Sequence, residues 1–346
     1  MKKLRAGVVG CGAIAHHCHI PGYQNNKSCE LVAVADPDTK NRETAMEKFG
    51  VPKGYASVED MLDEENLDCV SIGSPNKFHA EHAIYAIKSG CHVLCEKPLC
   101  MSMKDARAIM RAAEKSDKIF MTAFTHRLYK GNEKAKRLVE KGEIGDPFMI
   151  RIRFAHQGPM AGWAMSDWFF NADKAGGGAL FDMGIHGIDL ATSYMGRIEK
   201  VNAMVATLQH EIELDDNAIL QFTFENGALG YLEVGWTSKV GFFGVEIYGS
   251  EGALVVDYLG EAYVLTGKTL PSGKRQVRRR VIEKEPGQGG WDVEIDYFVR
   301  AIKKGEQPEI GLEAGVHALE VALGAYESSR KGKTVSLVKN TQNKST

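Results

Sequence analysis

The sequence has little of what would indicate a membrane-bound, secreted or nucleic-acid-binding protein. In its 346 residues, 43 Lys and Arg nearly balance 45 Asp and Glu, so the net charge of -2 gives no attraction for nucleic acid or for a membrane surface. No apolar run approaches the ~18 residues of a membrane-spanning helix, and the run at residues 4–9 has about half the minimum length of the apolar region in a secretory signal. We therefore expect no nucleic acid and no membrane as partners.

Cysteine is absent beyond residue 100, and the seven cysteines before it include no C-x-x-C pair. An odd number of cysteines without such a pair is typical of reduced thiols in a cytoplasmic protein. Internal repeats and low-complexity linkers are also missing. The length and the 44% hydrophobic content indicate two globular domains packed against each other.

Four neighbouring residues, His16, His17, Cys18 and His19, invite interpretation as a metal site. Adjacent residues on a helix point in different directions, however, and only His16 and His19 share a face. Because no carboxylate cluster completes a coordination shell, we predict that no metal is bound and that these residues belong to the first helix.

A glycine motif lies between the first two predicted strands. An apolar run leads into Gly10-Cys11-Gly12-Ala13-Ile14-Ala15, and a second apolar run ends at Asp36. The order of strand, G-x-G-x-x-A turn, helix start, strand and acidic residue is typical of a dinucleotide-binding βαβ unit. We therefore predict that Gly10, Gly12, Ala13 and Ile14 bind the cofactor, with its pyrophosphate at the helix N-terminus.

The acidic residue indicates which dinucleotide is bound. Asp36 would bind the adenosine ribose hydroxyls and repel a 2'-phosphate, which favours NAD. Arg42 could still reach a phosphate, so NADP remains the less favoured alternative.

The order of predicted strands and helices changes after Phe124. Before it, strands alternate with helices, which predicts a doubly wound parallel Rossmann sheet over residues 1–124. After it, strands joined by hairpin turns and followed by two amphipathic helices predict an α+β domain with a large, mostly antiparallel open sheet over residues 125–346.

Polar residues follow two of the predicted parallel strands, at the edge where such sheets bind ligands. Ser74, Asn76 and His79 follow one strand, and Glu96 and Lys97 follow the next. An amine held beside a cofactor and partly removed from water can exchange protons near neutral pH. The alternative is a surface salt bridge made by Glu96.

A polar seam lies on a predicted helix that three glycines, Gly176–Gly178, precede. We expect these glycines to let the helix approach the cofactor cleft closely. Asp182, His186 and Asp189 are spaced i, i+4 and i+7 and share one stripe of an otherwise apolar helix. A buried carboxylate needs a partner, so the seam indicates either an active site, a satisfied core network or a solvent-facing edge.

These motifs, in this order, closely resemble those of the Gfo/Idh/MocA family of oxidoreductases. The resemblance covers essentially the whole chain and implies an NAD(P)-dependent enzyme that acts on a sugar, a sugar derivative such as a glycoside, or an inositol-like cyclic polyol. It also implies a homodimer or homotetramer formed through the C-terminal sheet.

The resemblance assigns roles to individual residues. Lys97, Asp182 and His186 match the family's catalytic residues, and they would also contact substrate. Ser74, Asn76, His79 and Glu96 match the residues beside the nicotinamide, where Lys97 also lies. Arg127 matches a substrate-binding residue, but Thr125 or His126 replaces the asparagine that precedes it in many members. Trp163 and Trp168 are expected either to stack on the sugar ring or to pack in the core.

The implied reaction is the oxidation of a secondary hydroxyl to a ketone. We expect His186, with an ordinary pKa near ~6.5, to take the hydroxyl proton. Asp182 would orient the imidazole, and Lys97 would donate a hydrogen bond to the reacting oxygen. Which of Lys97 and His186 is the primary base stays open. Two alternatives are an NAD(P)H-dependent reductase of a keto sugar or imine on the same fold, and a non-catalytic dinucleotide-sensing regulator.

Overall fold

The fold was analysed in a computed structural model that describes residues 2–162 and 164–337. The first half forms a six-stranded parallel sheet of order β3-β2-β1-β4-β5-β6, which is the Rossmann order. Its strands are β1 (Leu4–Val9), β2 (Cys29–Ala35), β3 (Lys53–Tyr55), β4 (Cys69–Ile72), β5 (His92–Cys95) and β6 (Phe120–Thr122). Its helices are α1 (Ile20–Asn25), α2 (Thr39–Phe49), α3 (Val58–Glu64), α4 (His79–Lys88) and α5 (Met103–Ala113).

The second half is built on a nine-stranded sheet of order β14-β13-β12-β11-β7-β10-β9-β8-β15. Its strands are β7 (Pro147–Ala155), β8 (Ile198–Ala206), β9 (Asn217–Phe224), β10 (Leu229–Gly235), β11 (Phe242–Gly249), β12 (Gly252–Asp257), β13 (Ala262–Thr269), β14 (Arg275–Glu283) and β15 (Val335–Ser336). Its helices are α6 (Lys130–Glu140), α7 (Ala172–Ala175), α8 (Ile185–Met195), α9 (Trp291–Lys304) and α10 (Leu312–Lys331). Among its paired strands only β7 and β10 run parallel.

The two sheets bury their residues differently, as the sequence pattern predicts. Strand β4 is buried at all four positions because helices cover both faces of the parallel sheet. Strand β9 alternates, with Ala218, Leu220 and Phe222 buried and Ile219 exposed. The expected fold, a Rossmann domain followed by an α+β domain with an open antiparallel sheet, is thereby confirmed.

Helix α10 connects the two sheets. At its start, the Thr122 amide of β6 donates to the Ile310 carbonyl at 2.8 Å, and the Thr122 hydroxyl donates to Gly311 at 3.2 Å. Near its end, the hydroxyl of Ser328 accepts from the Ala203 amide of β8 at 3.0 Å. The C-terminal helix therefore packs against the edge of the parallel sheet as well as against the nine-stranded sheet.

Two features concern the predictions about membrane spans and about the cysteines. No helix within residues 2–162 and 164–337 has the length and apolar character to cross a membrane. All seven cysteines are buried and unpaired. The fold thus removes each thiol from solvent.

A loop carboxylate anchors the segment that carries the polar seam. Asp215, between β8 and β9, accepts the amides of Gly178 and Leu180 at 2.8 Å each and the hydroxyl of Tyr326 at 2.6 Å. A Cβ on Gly178 would lie 1.8 Å from the Asp215 carbonyl oxygen, so no other residue fits there. The carboxylate satisfies amides at the helix start, as an N-cap does.

We expect Asp215→Ala to destabilise the protein by about 2–4 kcal/mol, because it leaves two buried amides and a hydroxyl without an acceptor. The shift in the midpoint of chemical denaturation measures the loss. Glu213→Ala, two residues away and exposed, serves as the matched control. Equal midpoints for the two variants would contradict the anchoring role.

Candidate active site

A cavity of about 580 Å³ lies between the carboxyl edge of the parallel sheet and the inner face of the second sheet. Residues after β4 and β5 line one side, and the segment leading into α8 lines the other. The sequence-predicted residues that line it are Ile14, Ser74, Asn76, His79, Glu96, Lys97, Trp168, Asp182 and His186. The fold therefore brings the predicted cofactor-side and substrate-side residues to one cavity.

Lys97 and Asp182 form an ion pair across this cavity. The Lys97 Nζ lies 2.9 Å from the Asp182 Oδ1 and 3.0 Å from its backbone oxygen. The other carboxylate oxygen, Oδ2, accepts from the indole Nε1 of Trp236 at 3.1 Å. Both carboxylate oxygens thus have partners other than His186, and no hydrogen bond within the described residues supports the prediction that Asp182 orients its imidazole. Asp182 positions the Lys97 ammonium instead.

His186 lies one turn further along, where the helix enters the core. The residue is 5% exposed, and its Nδ1 has no hydrogen-bond partner within the described residues. Burial lowers the pKa of His186 well below its usual 6.5, and His126 and the Lys97 ammonium lower it further. The expected ordinary pKa is therefore incorrect. The imidazole is therefore uncharged at neutral pH and is a weaker base than an ordinary histidine.

Two more histidines face the same cavity. The ring of His126 lies 4.4 Å from that of His186, and its Nδ1 is 3.3 Å from the hydroxyl of Tyr258. Burial, followed by the Lys97 charge, lowers the pKa of His126 to about 3. Burial also lowers the pKa of His156. With His79, four histidines therefore line the cavity, and burial lowers the pKa of each. The sequence offered no spacing that would have found His156.

Aromatic side chains form another part of the wall. Trp168 stacks on Phe169 with ring centroids 3.9 Å apart and is half-buried, so it is not a core residue. Phe243 and Tyr258 come from β11 and the turn after β12, and Trp291 begins α9. These last three were missed, because an isolated aromatic in a strand or at a helix start looks like any core residue. Trp163 lies outside the described residues.

The glycine motif has the geometry that a dinucleotide needs. Gly10 has a φ of +85°, and a Cβ there would lie 2.7 Å from the Gly73 carbonyl oxygen. Around Gly12, in contrast, nothing lies within 4 Å of a Cβ position, which leaves room for a phosphate. The helix then begins at Ala13. These features fit an NAD-type cofactor, with its phosphates at this helix start.

Asp36 lies where the motif places the ribose. Its Oδ2 accepts the Cys11 amide at 2.7 Å, and its Oδ1 accepts the Asp38 amide at 2.8 Å. Arg42 donates to the Asp36 backbone oxygen at 2.7 Å. The carboxylate therefore fixes the glycine turn, with a guanidinium beside it.

The residues predicted to lie beside the nicotinamide mainly hold the surrounding loops together. His79 contacts the carbonyl oxygens of Ser74 at 2.7 Å and Pro98 at 2.8 Å, which links the loops after β4 and β5. The Asn76 amide donates to the Ala175 carbonyl at 2.8 Å, across the cleft. The hydroxyl of Ser74 lies 3.0 Å from the Nδ1 of His82.

Arg127 does not line this cavity, which corrects its predicted role in substrate binding. Its guanidinium forms a bidentate pair with Asp189, with distances of 2.6 and 2.5 Å. The Asp189 side chain is 1% exposed, and it too lies off the cavity. Burial raises the pKa of Asp189, although Arg127 opposes the shift. The third member of the polar seam therefore forms a structural ion pair.

Two family models match the chain. Residues 4–124 match a model described as an oxidoreductase family with an NAD-binding Rossmann fold. Residues 132–255 match a model of the GFO/IDH/MocA C-terminal domain.

Characterised relatives are similar over most or half of their length. A myo-inositol 2-dehydrogenase of Thermotoga maritima is 29% identical over 341 residues, covering 96% of this chain and 98% of that protein. A D-glucoside 3-dehydrogenase of Escherichia coli is 34% identical over 202 residues, covering 58% of this chain and 57% of that one.

Solved structures share the fold. An oxidoreductase domain protein from Kribbella flavida superposes with a TM-score of 0.87 at 26% identity, covering 98% of this chain and 100% of that one. A levoglucosan dehydrogenase, solved with NADH and L-sorbose, has a TM-score of 0.85 at 24% identity and covers 98% of this chain and 100% of its own.

We expect Arg127→Met to destabilise the protein by about 3–5 kcal/mol, because it leaves the buried Asp189 without its counter-charge. Chemical denaturation measures the change. Lys136→Met, which removes an exposed pair with Glu140, is the control and should cost at most about 1 kcal/mol. Adding Asp189→Leu to Arg127→Met should restore part of the loss. A small effect of Arg127→Met on stability would contradict the structural role.

Proposed function

Because this chain belongs to the Gfo/Idh/MocA family of oxidoreductases, we propose that it is an NAD-dependent dehydrogenase of a sugar, glycoside or inositol-like cyclic polyol. It would oxidise one secondary hydroxyl to the ketone. The observation that carries the proposal is the Lys97–Asp182 pair, which shares one cavity with the uncharged His186 beside the loops that carry the dinucleotide motif.

The cavity supports a substrate with several hydroxyls and apolar ring faces. Aromatic rings such as Trp168 and Phe243 offer flat surfaces on which the C–H face of a sugar ring packs. Uncharged imidazoles of His126 and His156 can accept or donate hydrogen bonds to hydroxyls. The names of the relatives, an inositol dehydrogenase and a glucoside dehydrogenase, agree with this class.

The residues of the chain divide the proton chemistry between them. A bound NAD, held by the Gly10 to Ile14 turn and Asp36, supplies the hydride acceptor. His186 accepts the hydroxyl proton on a ring nitrogen that is unprotonated at neutral pH, although its lowered pKa makes it a weaker base than an ordinary imidazole. Lys97 donates a hydrogen bond to the reacting oxygen and stabilises the negative charge that develops there. Asp182, fixed by Trp236, keeps the ammonium in place.

The direct test is a panel of inositols, free hexoses, glycosides and amino sugars, assayed with NAD by the absorbance of NADH. We expect turnover with at least one member of the panel. A parallel panel of keto sugars with NADH and NADPH tests the reductase alternative. No turnover in either direction, with NAD binding demonstrated by calorimetry, would overturn the proposal in favour of a dinucleotide sensor.

Lys97→Met should lower kcat by about 10²–10⁴-fold, because it removes the donor to the reacting oxygen. NAD affinity should change little. Lys88→Met, at the exposed end of α4, is the matched control and should keep full activity. Lys97→Arg, which retains the charge next to Asp182, separates loss of chemistry from loss of stability. Near-normal turnover of folded Lys97→Met would contradict the assignment.

A substitution at Asp36 tests the preference for NAD over NADP. We expect Asp36→Ser to raise kcat/KM with NADP relative to NAD by at least about tenfold, because it removes a carboxylate that repels the 2'-phosphate. Arg42 lies beside this position, so Arg42→Ala in the same background should reverse the gain. Unchanged selectivity in Asp36→Ser would contradict the role of the carboxylate.

We also propose a homodimer or homotetramer formed through the outer face of the nine-stranded sheet. Met204, Ile219 and Leu229 lie on this face and are 69%, 47% and 50% exposed. Exposed apolar side chains on one continuous sheet surface favour burial against a second copy. Light scattering should give the mass of two or four chains, and Met204→Lys should lower it.

A further inference from the structure

A buried cluster of metal-binding side chains lies behind the cavity. Cys18 and His19 end the π-helical turn that precedes α1, Glu294 lies on α9, and Glu96 follows β5. One donor atom from each of Cys18, His19 and Glu294 lies within 4.8 Å of the others, and all three residues are buried. The Glu96 Oε1 is 3.4 Å from the His19 Nε2.

The cluster contains most of the unpartnered buried polar atoms of the described chain. Six buried side-chain nitrogen and oxygen atoms in residues 2–162 and 164–337 have no hydrogen-bond partner. Four of them are in this cluster: both ring nitrogens of His19, the Glu96 Oε1 and the Glu294 Oε1. A buried polar atom left unpaired costs about 1–3 kcal/mol, so such a concentration requires compensation.

The cluster also holds two carboxylates. Glu294 has no exposed surface, and the Glu96 carboxylate lies beside His19. The ammonium of the neighbouring Lys97 is bonded to Asp182 on the other side of the cavity. A divalent ion would balance one thiolate and one carboxylate.

The donor set is chemically specific. A thiol, an imidazole and a carboxylate together are characteristic of zinc-type ions rather than of magnesium or calcium. The Cys18 Sγ lies 3.4 Å from the Glu294 Oε2. Two ligands in a tetrahedral zinc site, with bonds of about 2.3 Å to sulfur and 2.0–2.2 Å to oxygen, are separated by about 3.5 Å.

We propose that Cys18, His19 and Glu294 bind one divalent transition-metal ion, zinc in preference to its neighbours, with Glu96 beside the fourth position. Binding releases the thiol proton of Cys18 to solvent, and also the proton of Glu294 where that carboxyl is protonated. The ion would hold α9 against the first helix of the Rossmann domain. This proposal departs from the prediction that no metal is bound. The sequence did not show the site, because Glu294 lies 275 residues after His19.

Metal uptake by the intact protein tests the proposal. After dialysis against a chelator, the protein is incubated with zinc and, separately, with cobalt(II), and its metal content is measured by mass spectrometry. We expect one equivalent per chain. We also expect a thiolate-to-cobalt charge-transfer band in the near ultraviolet and a higher melting temperature with zinc. A folded protein that takes up neither metal would overturn the proposal.

Variants assign the uptake to the cluster. Cys18→Ser and Glu294→Gln should each weaken zinc binding by at least about 10–100-fold, and Cys18→Ser should abolish the charge-transfer band. Cys91→Ser removes another buried thiol, outside the cluster, and His17→Ala removes an exposed histidine of the same helix. Both controls should bind zinc as the parent does. Equal binding by Cys18→Ser and the parent would overturn the assignment.

Discussion

The ion pair between Lys97 and Asp182 joins the carboxyl edge of the parallel sheet to the helix on the second sheet. The side chains of Lys97 and Asp182 are 17% and 8% exposed, so little water screens their attraction. The pair fixes where the ammonium lies. That charge, with burial as the larger cause, disfavours protonation of His186 and His126. Burial, with the Lys97 charge added to it, therefore keeps the surrounding imidazoles uncharged, and the ammonium is the charged hydrogen-bond donor among them.

Sequence patterns predicted the features that depend on local order. The βαβ motif, the change of pattern after Phe124 and the residues that follow β4 and β5 are recognisable because spacing and strand ends determine where they lie. Strand β3 was missed, since Lys53–Tyr55 contains no buried apolar run. The helix that carries Asp182 was also predicted correctly, but the hydrogen-bond partners of the Asp182 side chain were not. Asp182 turns to Trp236, 54 residues on, and no local pattern encodes such a contact.

The errors at Arg127 and at the glycine triplet have the same origin. Arg127 follows the cavity-lining Thr125 and His126, yet its side chain pairs with Asp189 on the other side. The triplet was expected to let the helix approach the cofactor cleft. Gly177 does line the cavity, but the closest approach, at Gly178, is by the carbonyl of Asp215. Sequence thus predicted that space was needed there, while the identity of the neighbour depended on a loop 37 residues away.

Helix α10 also limits how the molecule can move. Hydrogen bonds join it to β6 near Gly311 and to β8 near Ser328, so one helix spans the two sheets. A hinge rotation that opened the cleft would have to break bonds at one end of that helix. The width of the cavity is therefore linked to the hydrogen bonds at the two ends of α10, which lie outside the cavity itself.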